Sequence, residues 1–146
     1  GKTVPAVATL TRIAEALGVN VASLMEQTSA NTTVHTSASQ VADAPRVRTE
    51  NGYAFYAFAA GRADKAMQPY LFVARRGEVL QRPLSHQGEE FVYMLRGEMK
   101  YRVGDAEYRL RPGDSLYFDS EDKHALEPVS KEVEYLALFT NRNKGE

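Results

Sequence analysis

From Arg46 onward the chain is cut into short β-type runs by turn signals at close spacing, and this texture limits the fold more than any other feature of the sequence. The runs are Tyr53 to Ala59, Tyr70 to Ala74, Phe91 to Leu95, Met99 to Val103, Glu107 to Leu110, Ser115 to Phe118 and Val133 to Thr140. Gly97-Glu98, Gly104-Asp105 and Pro112-Gly113-Asp114 punctuate them. Within a run the apolar residues alternate: Met99, Tyr101 and Val103 share one face, Lys100 and Arg102 the other. One face is therefore expected to be buried and the other wet. No helical pattern alternates with the strands and no solenoid period recurs, so the reading is an all-β sandwich or barrel rather than a parallel βαβ fold.

The segment before Arg46 has a different texture. From Pro5 to Glu26, Leu10, Ile13, Ala14 and Leu17 recur at helical spacing, Gly18 stands at a C-cap position and Asn20 can cap a second short helix carrying Leu24 and Met25. Such a pair exposes an apolar stripe that it cannot bury alone. Residues 28–45 are rich in Ser, Thr and Ala without a sustained period and read as a linker, with His35 a solvated side chain in it. The expected division is 1–27 helical, 28–45 linker and 46–146 β domain.

Composition excludes several classes of function. The 146 residues include no cysteine, which removes disulfides and thiolate metal sites, and the net charge of −1 gives no global positive field for nucleic acid. Basic residues such as Arg75, Arg76, Arg96, Arg109 and Arg111 are interleaved with acids and read as a solvated face. No apolar run reaches the ~20 residues of a membrane span, and no secretory signal pattern opens the chain, so the expectation is a soluble cytoplasmic protein without a membrane partner. Neither a phosphate-cradling glycine loop nor a nucleophile elbow is present.

The chemistry-bearing residues are His86 and Glu90, spaced His-x-x-x-Glu, and the distant His124. Two imidazoles and one carboxylate form a facial set for a divalent metal. His86, Glu90, Val92 and Met94 share parity, whereas Glu89 has the opposite parity and is expected to be solvated. Most of the many aromatic residues are expected in the core, with a few tyrosine hydroxyls beside the imidazoles in an apolar pocket.

Two resemblances build on these residues. Glu90, six residues, Gly97, then Pro112-Gly113-Asp114 and His124, with His86 before them, resemble the two motifs of the cupin superfamily over about Pro69 to Leu138. Leu84 stands where the first motif has its first histidine, and Pro128 where an asparagine often follows the second. The resemblance implies a mainly β fold, a double-stranded β-helix or jelly-roll barrel, with His86, Glu90 and His124 as ligands of iron, zinc, nickel or manganese. It equally allows these three to serve as hydrogen-bonding groups in an organic-ligand pocket, with Tyr101, Met94 and Phe118 as pocket residues.

Pro5, Thr9-Leu10, Ile13-Ala14, Ala16-Leu17, Val19 and Leu24, after Gly1 and Lys2, are similar to the closing helices of the lambda-repressor-like, xenobiotic-response-element type of helix-turn-helix domain. That likeness implies two short α-helices left from a DNA-binding domain whose reading helices precede this chain, so that no DNA-binding residue is retained here. Together the resemblances imply a transcription regulator with a cupin sensor for a small-molecule effector, a homodimer, and operator DNA as the partner of the full-length protein. The competing implication is a mononuclear non-haem iron enzyme like the hydroxypropylphosphonate epoxidases. Regulator is the preferred expectation because no general base can be named.

Overall fold

The computed structural model of the protein describes residues 14–15 and 32–140. A short helix α1 (Ala38–Asp43) leads into nine strands. They are β1 (Val47–Arg48), β2 (Tyr53–Ala57), β3 (Met67–Arg75), β4 (Glu89–Arg96), β5 (Met99–Val103), β6 (Ala106–Leu110), β7 (Ser115–Asp119), β8 (His124–Pro128) and β9 (Glu132–Thr140). The mainly β expectation is met. The expected pair of helices in 1–27 lies outside the described residues, apart from Ala14 and Glu15, which are helical.

All strand pairs are antiparallel, in a six-stranded sheet ordered β1-β2-β3-β9-β4-β7 and a three-stranded sheet ordered β6-β5-β8. Strand β9 shows why the sequence folds this way. Val133, Tyr135, Ala137 and Phe139 are buried while Glu132, Glu134, Leu136 and Leu138 between them are only part-buried, a strict two-residue period along nine residues. Its neighbours β3 and β4 carry the same parity, so Phe72 stands opposite Tyr135 and Glu90 opposite Phe139 on the inner face. From the smaller sheet, Met99, Tyr101, Leu110 and Leu126 join the same core. Phe55, Phe72, Met94, Met99, Val92 and Val133 are its most deeply buried large side chains.

The structure adds elements to the sequence reading. Helix α1 falls inside the stretch read as a linker and is fixed by a capping box, Ser37 accepting from the Gln40 amide and Gln40 from the Ser37 amide. None of its residues is buried, so it has no apolar stripe to reveal it, and Ser-x-x-Gln was the available signal. Strand β1 was too short to register, and β8, which carries His124, was expected as a later strand without bounds.

Gly97 turns β4 into β5 at φ 81°, with Glu132 Oxygen of the main chain so near that a Cβ would sit 2.6 Å from it. Both positive φ and contact with backbone oppose any side chain there. Gly97→Ala is expected to cost about 1–3 kcal/mol, read as a lower urea midpoint with an unchanged slope. An unaltered midpoint would show that the turn relaxes freely.

Candidate metal centre

Backbone pairing brings the two distant histidines together. Leu84 and His124 form an isolated bridge, with Leu84 N donating to His124 O at 2.7 Å and His124 N to Leu84 O at 2.9 Å. His86, two residues on, donates its own amide to Ser120 O at 3.0 Å, and Ser120 N donates to Gly88 O at 2.9 Å. The segment before β4 is thereby tied to the ends of β7 and β8. Glu90 follows on β4 and points inward, as its shared parity with Val92 and Met94 predicts.

All three side chains are buried, and one ligand-type atom from each lies within 4.8 Å of the others. Glu90 Oε1 is 3.5 Å from His86 Nε2 and 3.6 Å from His124 Nε2, too long for hydrogen bonds, and it has no hydrogen-bond partner. Each ring is oriented from behind: His86 Nδ1 contacts Gln87 O at 3.2 Å and His124 Nδ1 contacts Asp122 O at 2.8 Å. A neutral imidazole donating Nδ1–H to a carbonyl presents a lone pair at Nε2. With each Nδ1 turned to a carbonyl, both Nε2 atoms and Glu90 Oε1 face one point. Two donors bound to one ion at about 2.1 Å sit about 3 to 3.4 Å apart, close to the 3.5 and 3.6 Å that separate Glu90 Oε1 from the two Nε2 atoms. The site therefore fits a divalent cation.

The second carboxylate oxygen is occupied differently. Tyr101 Oη donates to Glu90 Oε2 at 3.2 Å, and the Tyr101 ring lies parallel to His124, 8° between planes at 6.4 Å. Burial first, and then the nearby Glu90, push the Tyr101 hydroxyl far above its ordinary pKa. Tyr53, raised by burial and Glu90, and Tyr135, raised by burial, Tyr53 and Glu90, behave alike. All three line the cavity as protonated phenols, which donate hydrogen bonds rather than act as bases.

That cavity is about 20 Å³. A water needs roughly 10–15 Å³ by this measure, so the space holds an ion or a water-sized group and falls far short of a drug-sized pocket. Phe72, Leu84, Leu126 and Phe139 supply apolar wall, and among the described lining residues none is Lys or Arg.

The structure thus brings together His86, Glu90 and His124. Of the three pocket residues named from sequence, Tyr101 lines the cavity, while Met94 and Phe118 are not among its lining residues. Met94 is fully buried in the core, and Phe118 packs its ring 4.9 Å from that of His124 and 5.6 Å from that of Tyr101, forming a support behind them. Glu89 has the outward parity expected of it and is part-buried, its amide donating to Thr140 Oγ1. Sequence reasoning missed Tyr53 and Tyr135: parity marks them as inward, but not how deep along the barrel they lie. Leu84, at the position of the missing histidine, is part of the wall.

Residues 70–139 match the cupin domain family. No curated protein matches the chain in sequence. Among solved structures, the chain resembles Fe(II)-HppE with an alternative substrate, with TM-score 0.61 and 19% identity over 90% of this chain and 74% of that one. It resembles ectoine synthase from P. lautus with TM-score 0.61 and 14% identity, over 75% of this chain and 78% of that one. A third is an HTH_3 family transcriptional regulator from Vibrio cholerae, with TM-score 0.53 and 16% identity over 61% of this chain. The match spans about half of that regulator, 51% of its chain. At such identities the likeness establishes fold alone, and it spans both enzymes and a regulator. The stretch that carries His86, Glu90 and His124 lies within the residues that match the cupin domain family.

Proposed function

We propose that this chain is the sensing part of a transcription regulator, whose cupin barrel binds a small-molecule effector at a divalent metal held by His86, Glu90 and His124. The observation that carries the metal-dependent binding is the buried, unpartnered Glu90 Oε1 facing two imidazole nitrogens. Iron, zinc, nickel and manganese all accept such a donor set. When bound, the metal supplies a Lewis acid with positions open to an oxygen or nitrogen donor of the effector. The protein's own part is to fix the two rings through their Nδ1 contacts, to hold Glu90 Oε2 with Tyr101, to offer phenol donors from Tyr53 and Tyr135, and to keep bulk water out with Phe72 and Phe139. With about 20 Å³ available, the effector must reach the centre through a narrow donor group.

The regulator part of the reading is supported by the helix pattern in 1–27 and its likeness to helix-turn-helix domains. Occupancy of the barrel would bias the geometry of a cytoplasmic homodimer on two-fold operator DNA. The test is duplex selection by the full-length gene product, followed by binding measurements with and without added metal. Selection of a palindromic site whose affinity changes with metal is the expected result. Failure to enrich any duplex overturns the regulator reading.

A second reading is an iron enzyme. The three-ligand set leaves coordination positions free, and the fold likeness to Fe(II)-HppE covers 90% of the chain. Oxygen consumption by the Fe(II)-loaded protein, dependent on an added small organic substrate, would replace the sensor with an enzyme.

A further inference from the structure

Two oxygens of one buried carboxylate are treated differently here, and the difference comes from the opposite sheet. Glu90 stands on β4 of the six-stranded sheet, while Tyr101 stands on β5 of the three-stranded one. The Tyr101 hydroxyl holds Oε2 at 3.2 Å, and Oε1 alone is left to face His86 and His124. We propose that Tyr101 is a positioning residue that makes Glu90 a one-oxygen metal ligand, keeping the carboxylate from closing on the ion with both oxygens. The proposal rests on the metal reading above and assigns a role to a residue that makes no metal contact of its own.

The phenol is well placed to hold its ground. Tyr101 pairs in register with Leu126 and lies on the same inner face as His124, which pairs with Val103 two residues along β5. Its ring is confined by Phe118 at 5.6 Å and by the parallel His124 ring. For Glu90 to turn both oxygens to an ion, Oε2 has to swing from its place beside this donor, weakening the hydrogen bond it accepts there. Tyr101 therefore preserves an open coordination position that a chelating carboxylate would fill. It also disfavours Ca²⁺, which is suited to bidentate carboxylates and six to eight oxygens.

Tyr101→Phe removes the hydroxyl and leaves the ring. The probe is Co²⁺, titrated into wild-type and Y101F protein and followed by its visible absorption, which weakens as coordination number rises. The expected result is about tenfold weaker Co²⁺ binding in Y101F, as is typical for loss of a group supporting a metal ligand, with a weaker and shifted absorption band. Binding of azide to the Co²⁺ protein is expected to weaken in parallel, because Oε2 competes for the open position. A tyrosine with a merely structural role would lower the melting temperature and leave the Co²⁺ spectrum unchanged, and that result overturns the proposal while metal binding stands. Absence of Co²⁺ uptake by wild-type protein overturns the metal reading itself, and the proposal with it.

Discussion

Glu90→Gln protein is expected to bind divalent metal at least about 100-fold more weakly than the parent, and yet to be the more stable of the two when both are metal-free. The two effects share one cause. In the metal-free site Glu90 Oε1 is buried without a hydrogen-bond partner, 3.5 and 3.6 Å from the two Nε2 atoms. An amide there replaces the unpartnered oxygen with an N–H group, which needs to close by only about half an ångström to donate to one nitrogen, and leaves its carbonyl oxygen to accept from Tyr101. Relief of a buried unsatisfied group is worth about 1–3 kcal/mol. The checks are isothermal titration with Co²⁺ and urea denaturation of chelator-treated protein. Opposite signs in the two measurements mark a site whose stability is sacrificed to metal binding. A metal-free Glu90→Gln protein less stable than the parent would mean that the carboxylate is satisfied in the folded chain, and the case for a cation there would fall.

That site was legible in the sequence because its residues obey strand parity. Glu90, Val92 and Met94 alternate with Phe91, Tyr93 and Leu95, so the inward course of Glu90 follows from a two-residue period alone. His124 was picked out by the resemblance of Pro112-Gly113-Asp114 and His124 to the second cupin motif, and the structure supplies the missing physical step, the Leu84–His124 bridge. The pocket was less legible. Met94 shares parity with Glu90, but four residues along a strand carry it about 13 Å further, into the closed core. Tyr53 and Tyr135 reach the cavity from β2 and β9, and their depth depends on register between strands far apart in sequence, which no local pattern encodes. Helix α1 escaped for the reverse reason: its capping box is local, but it buries no residue and so leaves no periodic trace.

The largest loss of stability is expected for Phe72→Ala. Phe72 is 2% exposed and stacks on Tyr135 at 5.3 Å with 12° between planes. It also meets Tyr53, Tyr70 and Phe139 edge-on at 6.0, 5.8 and 6.3 Å. Removing such a ring costs about 3–5 kcal/mol, because the surrounding rings are held by strand register and cannot collapse into the space. Against a total stability of about 5–15 kcal/mol this is a large share, readable as a lower urea midpoint. Tyr108→Ala is the control: on strand β6, 43% exposed, it should change stability by about 0.5 kcal/mol. The informative comparison is with metal affinity in the same Phe72 variant. Phe72 shares the cavity wall with His86 and meets Phe139, whose ring is 5.3 Å from the imidazole, whereas the histidines are fixed by backbone bonds of Leu84, His86 and Ser120. Because Phe72 belongs to the cavity wall, Co²⁺ affinity is expected to fall, but by about tenfold or less at temperatures where the variant is folded, a smaller effect than the loss of folding energy. A parallel collapse of affinity would place the origin of the site's geometry in the aromatic wall instead of the strand ends.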